Sequence, residues 1–143
     1  VLDGFHAHAD HIRFITNRQE GGAAFMAEAQ GKLTGRPGVC FVTRGPGATN
    51  ASIGVHTAFQ DSTPMILFIG QVARDQVERE AFQEIDYRRM FGQMAKWVVE
   101  VDDAARSAAR NVASSASIIA RNMTAGSVNV NSSNSLQLTH QSA

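Results

Sequence analysis

The chain has 143 residues, of which 43% are apolar and 18% are charged, and its formal net charge is zero. This composition indicates a soluble globular domain that is long enough to bury a core. A balanced charge argues against nucleic acid or an anionic membrane surface as a partner. No apolar run reaches membrane-spanning length. The only cysteine, Cys40, fits a reducing compartment, so we expect a cytoplasmic protein.

The first hundred residues predict alternating helices and strands. A short helix is expected over Val1–Asp10, and longer helical patterns cover Glu20–Leu33 and Asn50–Phe59. Four continuous apolar runs are typical of strands that are covered on both faces. These runs are Ile12–Thr16, Val39–Thr43, Met65–Gly70 and Trp97–Val101. This order of elements predicts an α/β domain with a parallel sheet and helices on both faces.

The last part of the chain differs in composition. All 13 acidic residues precede Ser107, and the sequence that follows is rich in Ser, Asn and Ala. We therefore place a boundary between a domain at 1–106 and a divergent segment at 107–143. Apolar residues at helical spacing predict a last helix over Asp102–Met123. The remainder, Gly126–Ala143, lacks a useful period and is expected to be a disordered tail.

Glu20 is the first candidate for chemistry. It opens the predicted helix Glu20–Leu33, which consists almost entirely of small or apolar residues. A helix that is apolar nearly all round has to be buried. An acid at its start would be desolvated and held for chemistry, or else paired. Desolvation would raise its pKa.

The segment Thr43–Asn50 is the second candidate, because it follows a predicted strand and opens a predicted helix. Gly45 and Gly47 would let the backbone approach a ligand, and the start of a helix offers free N–H groups. Thr49 or Asn50 could cap that helix. A tight turn without any ligand explains the segment equally well.

Two other kinds of site fit the sequence less well. A dinucleotide-binding fingerprint needs a third glycine where the chain has Asn50, and an acid after the next strand where it has Gln71. A metal site at His6, His8 and His11 lacks a second cluster of ligands. The first two of these histidines would also point in different directions on a helix, so a solvated face is expected.

Five sequence motifs follow one another in the first hundred residues. They are Arg18-x-Glu20-x-x-Ala23-x-x-Met26-Ala27, Gly35-Arg36-Pro37-Gly38-Val39, Gly45-Pro46-Gly47-Ala48-Thr49-Asn50, Asp61-x-x-Pro64 and Phe82-Gln83-Glu84. Their order and spacing resemble the N-terminal pyrimidine-binding domain of thiamine-diphosphate-dependent enzymes, in the acetolactate synthase-like branch. The resemblance runs from about Leu2 to Arg106.

The resemblance implies roles for particular residues. Glu20 would be the catalytic glutamate, which hydrogen-bonds a ring nitrogen of the cofactor's aminopyrimidine and favours the imino tautomer that removes the thiazolium proton. The residues implied to border the pyrimidine pocket are Gly45, Pro46, Gly47, Thr49 and Asn50. Phe82 and Gln83 would lie near the thiazolium and the substrate.

The resemblance also implies an activity and its requirements. The full enzyme would be an oligomer that uses thiamine diphosphate to decarboxylate or ligate a 2-keto acid, or to process an acyl-CoA-type substrate. Magnesium and the diphosphate would be held by a separate partner domain, so no metal ligand is assigned in this chain. The use of FAD is left open.

The chain is expected to be an incomplete domain. In the family a further strand precedes the point where this chain begins, and another follows Arg106. The strand at the start is internal to the sheet, and without it backbone groups would lack partners. Because the site for the diphosphate and magnesium is missing, we expect the isolated chain to be inactive. The alternatives are a non-enzymatic regulator that associates with a full-length subunit, and a product that does not fold stably.

Overall fold

A computed structural model of the chain describes residues 2–101 with their side chains, and the backbone at 116–121, 128–130 and 136–138. The helices are α1 (Leu2–Ala7), α2 (Glu20–Thr34), α3 (Gly45–Gln60) and α4 (Tyr87–Phe91), with a 3₁₀ turn at Arg74–Gln76. The strands are β1 (Gly38–Val42), β2 (Met65–Gly70), β3 (Trp97–Val101), β4 (Ala116–Arg121), β5 (Val128–Val130) and β6 (Leu136–Leu138). No helix in this part of the chain is long and apolar enough to cross a membrane.

The main sheet has the strand order β1-β2-β4-β3. Strands β1 and β2 are parallel, with Gly38 opposite Met65, and helix α3 connects them. This arrangement confirms the predicted α/β class and its parallel pairing. Strand β4 runs antiparallel to both of its neighbours, so the sheet as a whole is mixed. Strands β5 and β6 form a separate antiparallel pair.

The larger hydrophobic core lies on one face of the sheet, beneath α2, α3 and α4. Alternate residues of β1 and β2, such as Cys40 and Leu67, point into this core. The opposite face carries the aromatic residues that alternate with them. There Phe41 stacks on Phe68 with ring centroids 4.6 Å apart, and Phe5 of α1 meets Phe41 edge-on at 5.1 Å. Helices therefore contact both faces of the sheet.

Helices α2 and α3 pack closely because small residues line their contact. A Cβ atom added to Gly54 of α3 would lie only 2.6 Å from the Cβ of Ala24 in α2. Helix α2 then ends as the sequence predicts. Gly35 takes the left-handed conformation, with φ of 68°, and its N–H donates to the carbonyl of Gly31 at 2.9 Å.

Three of the four predicted strands form. Met65–Gly70 and Trp97–Val101 are confirmed, and the predicted Val39–Thr43 is displaced by one residue to Gly38–Val42. The strand predicted at Ile12–Thr16 is wrong, because these residues are irregular. A strand needs a partner for its backbone hydrogen bonds, and the described strands leave this segment unpaired. Its Phe14 and Ile15 are 48% and 53% exposed.

The predictions for the C-terminal part are partly wrong. Within the helix predicted over Asp102–Met123, residues 116–121 instead form β4. These residues include two consecutive isoleucines, a β-branched type that favours strands. As a strand they form backbone hydrogen bonds with both β2 and β3, and these bonds would be absent if the segment were a helix. In the tail that was expected to be disordered, 128–130 and 136–138 form a pair of strands. The predicted boundary at 106/107 lies outside the described residues.

We predict that Gly54→Ala lowers the free energy of unfolding by about 1–3 kcal/mol, because the added methyl group overpacks the contact with α2. Thermal or urea unfolding of the purified chain measures this change. Gly4→Ala is the matched control, since nothing lies within 4 Å of a Cβ at that position of α1. Equal stability of the Gly54→Ala variant and the unmodified chain would contradict the close packing.

Candidate functional site

Glu20 is the first residue of α2, as the sequence predicts. The helix is capped by the preceding residue, since the side chain of Gln19 accepts a hydrogen bond from the N–H of Gly22 at 2.8 Å. A carboxylate in the first turn also interacts favourably with the positive end of the helix dipole. Local sequence therefore fixes the acid at the start of α2.

Helix packing brings Glu20 next to the start of α3. The amide nitrogen Nδ2 of Asn50 donates a hydrogen bond to Oε2 of Glu20 at 3.0 Å. The other carboxylate oxygen, Oε1, would lie 3.6 Å from a Cβ atom built on Gly47. A Cβ atom at this position would come closer still to Cγ2 of Thr43, at 2.9 Å, so a glycine is required where the start of α3 packs against Thr43. Three residues that the sequence singled out therefore meet in one place, although Glu20 and Asn50 are 30 residues apart in the chain.

The environment of Glu20 differs from the dry pocket that was expected. The hydrogen bond from Asn50, helped by one from the backbone N–H of Glu20 itself, holds the pKa of the carboxyl below its usual value. Burial opposes this shift but is the smaller effect, because the residue is only partly buried. The expectation of a pKa raised by desolvation is therefore wrong for this structure. Glu20 is held as an anionic hydrogen-bond acceptor.

The glycine-rich segment is the first turn of α3 rather than a loop before it. Helix α3 begins at Gly45, with a proline in its first two positions and no side chain capping it. The predicted caps are wrong. The hydroxyl of Thr49 donates instead to the carbonyl of Gly45 at 2.8 Å, and Asn50 donates to Glu20. Gly45 and Gly47 are buried, and Pro46 is exposed.

A second segment, residues 77–86, packs against the start of α3. The N–H of Gly45 donates to the carbonyl of Gln83 at 3.0 Å. A Cβ on Gly45 would lie 2.9 Å from that same oxygen, so a glycine is needed for this approach. The neighbouring Phe82 is 78% exposed. The structure thus brings Gln83 to the predicted cofactor-binding segment and leaves the ring of Phe82 in solvent.

Three residues near this place were given no role from the sequence: Arg44, Gln71 and Tyr87. The Nε atom of Arg44 is buried without a hydrogen-bond partner among the described residues. Gln71 donates to the carbonyl of Ile85 at 3.3 Å and so fastens the second segment to the end of β2. For Arg44 and Gln71 the sequence offered one signal, which is that each follows shortly after the end of a strand.

Tyr87 is a buried member of the same neighbourhood. Its hydroxyl lies 3.5 Å from the carbonyl oxygen of Gly70, to which it donates. The pKa of Tyr87 is raised to about 12, mainly by burial; the positive charge of Arg44 opposes this shift, and the negative charges of Glu100 and Glu84 add to it. Tyr87 therefore stays protonated and serves as a hydrogen-bond donor.

No group of three or more His, Cys, Asp or Glu side chains that could hold a metal ion occurs in the described part of the chain. His11 instead lies 3.1 Å from the carboxylate of the adjacent Asp10, and both side chains are largely exposed.

Comparison with known proteins identifies the family. Residues 1–90 match the family described as thiamine pyrophosphate enzyme, N-terminal TPP binding domain. The chain belongs to this family, which confirms the resemblance that was named from its motifs. The match includes Glu20, the start of α3 and the Phe82-Gln83 segment.

The chain is also similar to acetolactate synthases. It is 41% identical to the mitochondrial acetolactate synthase catalytic subunit of Saccharomyces cerevisiae over 101 residues, which are 71% of this chain and 15% of that protein. It is 43% identical to the acetolactate synthase of Bacillus subtilis over 89 residues, which are 62% of this chain and 16% of that protein. The chain therefore spans only about a sixth of the length of these relatives.

We predict that Asn50→Ala raises the pKa of Glu20 towards its usual value, because the variant loses the largest cause of the lowered pKa. A carboxyl group whose pKa is lowered by folding adds stability above its unfolded pKa. That stability is lost as the pH falls through the folded pKa. In the variant the folded and unfolded pKa values lie closer together, so this contribution should be smaller and its loss should be complete at a higher pH. Titration of the glutamate carboxyl carbons by NMR measures the shift.

Ser52→Ala is the control for this titration, because Ser52 lies on the same helix and its hydroxyl donates only to the carbonyl of Thr49. It should leave the pKa of Glu20 unchanged. An unchanged pKa in Asn50→Ala would show that the contact between the two helices does not hold the carboxylate.

Proposed function

We propose that this chain supplies the pyrimidine-binding half of a thiamine diphosphate site in an enzyme of the acetolactate synthase type, which decarboxylates or ligates 2-keto acids. Membership of the thiamine pyrophosphate enzyme family supports the cofactor. The observation that carries the proposal is the meeting of Glu20, Asn50 and Gly47 where α2 and α3 begin.

The residues at this place fit an aminopyrimidine. Glu20 presents a carboxylate acceptor with a lowered pKa, which suits a ring nitrogen that carries or takes up a proton. Gly47 adds no side chain of its own beside Oε1, so a flat heteroaromatic ring that reaches this oxygen would meet only backbone at position 47. Asn50 fixes the other oxygen and so orients the carboxylate. When bound, thiamine diphosphate supplies an electron sink for breaking a bond next to a carbonyl group.

The remaining residues implied by the resemblance would act around this centre. Gly45, Pro46 and Thr49 would border the pyrimidine through their backbone, since the hydroxyl of Thr49 is already engaged with Gly45. Phe82 and Gln83 would lie on the substrate side, and the exposure of Phe82 leaves its ring free to contact a substrate or a second domain.

Other requirements of the full enzyme belong to the same proposal. The 143 residues contain no Gly-Asp-Gly sequence of the kind that holds magnesium and the diphosphate in the family, so both would be held by a partner domain. The substrate would be a 2-keto acid or an acyl-CoA-type compound, and a role for FAD stays open.

The location of the protein in the cell is a separate part of the proposal. The single buried cysteine favours a reducing compartment such as the cytoplasm. The name of the Saccharomyces cerevisiae relative places that protein in the mitochondrion.

Binding of the cofactor to the purified chain tests the proposal. Added thiamine diphosphate should shift the backbone amide NMR signals of Glu20, Gly47 and Asn50. Glu20→Gln should weaken this binding about tenfold or more, because a hydrogen bond to a charged acceptor is lost. Asp3→Asn, which removes an exposed carboxylate on α1, should not change it.

Two outcomes would contradict the proposal. Shifts confined to residues remote from Glu20, or equal affinity in the Glu20→Gln variant, would remove the assigned site. The chain alone is not expected to release carbon dioxide from a 2-keto acid in the presence of thiamine diphosphate and magnesium. Turnover that Glu20→Gln abolishes would show that the chain needs no partner domain.

A non-enzymatic role is the second candidate, and the outer surface of α2 favours it. Phe25, Met26 and Leu33 are exposed there, by 40%, 44% and 85%. Apolar side chains clustered on one helix are typical of a surface that another subunit covers. We propose that this surface associates with a second pyrimidine-binding domain, which is either another copy of the chain or a full-length subunit.

Sedimentation velocity of the chain tests this association. Met26→Asp places a charge in the apolar surface of α2, and it should weaken self-association by at least about tenfold. Leu2→Asp is the control, because it places the same charge on an exposed apolar residue of another helix, α1. A chain that stays monomeric at every concentration, or equal effects of the two variants, would count against the α2 surface.

A further inference from the structure

The segment that carries Phe82 and Gln83 has an unfavourable backbone. Glu78, Glu80 and Gln83 all have left-handed conformations, with φ of 64°, 53° and 66°. This region is disfavoured for residues with a Cβ atom, yet the sequence from 71 to 91 contains no glycine. Another interaction must therefore stabilise these three left-handed backbone conformations.

The carboxylate of Glu84 is placed to do so. Its Oε1 accepts a hydrogen bond from the N–H of Glu78 at 2.6 Å, and its Oε2 accepts one from the N–H of Ala81 at 3.0 Å. The backbone N–H of Arg79 contributes as well, and together these donors hold the pKa of Glu84 below its usual value. Backbone N–H groups that converge in this way form a concave site for an anion. Here the anion comes from the chain itself.

The shape held by Glu84 reaches the candidate site. The N–H of Glu84 donates to the carbonyl of Ala81 at 2.9 Å and closes a turn around Gln83. Within that turn the left-handed Gln83 presents its carbonyl to the N–H of Gly45, the first residue of α3. A chain of hydrogen bonds therefore leads from the Glu84 carboxylate to the helix start beside Glu20.

We propose that Glu84 is a positioning residue, whose carboxylate binds the backbone N–H groups of residues 78, 79 and 81 and thereby holds Gln83 against the start of α3. Its carboxylate would act on the candidate cofactor site through Gln83, because its hydrogen bonds are made with the N–H groups of residues 78, 79 and 81. Removal of its charge should release residues 77–85 and free the N–H of Gly45. The link to substrate recognition by Phe82 and Gln83 rests on the proposed function, but the seating of the segment does not.

Amide hydrogen exchange followed by NMR on the chain without cofactor tests the proposal. Glu84→Gln should speed exchange at Gly45 by about tenfold or more, because a neutral amide is a weaker acceptor and offers one oxygen instead of two. Glu80→Gln is the matched control, since it neutralises an exposed carboxylate in the same segment without altering the Glu84 contacts. Exchange at Leu67 in β2 reports whether each variant keeps its fold.

The pH profile separates this role from a loss of packing. In the unmodified chain the amide signals of Glu78 and Ala81 should titrate together, below the usual pKa of a glutamate. Protection of Gly45 should be lost as the pH falls through the same range. Both changes should disappear in Glu84→Gln. An unaltered exchange rate at Gly45 in this variant would overturn the proposal.

Loss of protection at Leu67 in Glu84→Gln would show that the variant does not fold. In that case the pH titration of the unmodified chain still tests the proposal. A shared titration of the Glu78 and Ala81 signals supports the proposal, and independent or absent titration overturns it. None of these measurements contains the cofactor. A failure of thiamine diphosphate to bind would therefore contradict the proposed function but would not affect the role proposed for Glu84.

Discussion

The close contact between α2 and α3 is the interaction on which the candidate site depends. Gly54 and Ala24 let the two helix backbones approach each other. Glu20 is thereby brought within hydrogen-bond distance of Asn50. The site is therefore created by the smallest residues of the core, and its polar groups occupy positions that this packing has already fixed.

The helices and strands that could be predicted from the sequence are those with local signals. Helix α2 and strand β2 have clear ends, because Gly35 stops the one and Gly70 the other. The apolar run Ile12–Thr16 looks equally good as a strand, but a strand also requires a neighbour for its backbone, and an apolar run carries no information about that neighbour. The same limit explains β4, whose spacing of apolar residues suits a helix, whereas its position between two strands decides otherwise.

Much of the candidate site followed from the order of the sequence motifs, although its electrostatics did not. The motifs placed Glu20 near Gly47, and the structure brings them together. The donor that lowers the pKa of Glu20 lies 30 residues away, so its contact depends on how two helices cross. The start of α3 was predicted five residues too late, although Pro46 indicated the true start, because proline is favoured in a first helical turn.

The single thiol of the chain has a consequence for how its motions can be followed. Cys40 is buried in the middle of β1, and burial, together with the nearby charge of Glu20, raises its pKa to about 11. A thiol reacts with alkylating reagents as the thiolate, which is scarce here while the strand is in place. Alkylation must then wait for the sheet to separate from the helices above it. The rate of alkylation of Cys40 would therefore report how often this part of the fold opens, close to Glu20, one of the residues proposed to hold the cofactor.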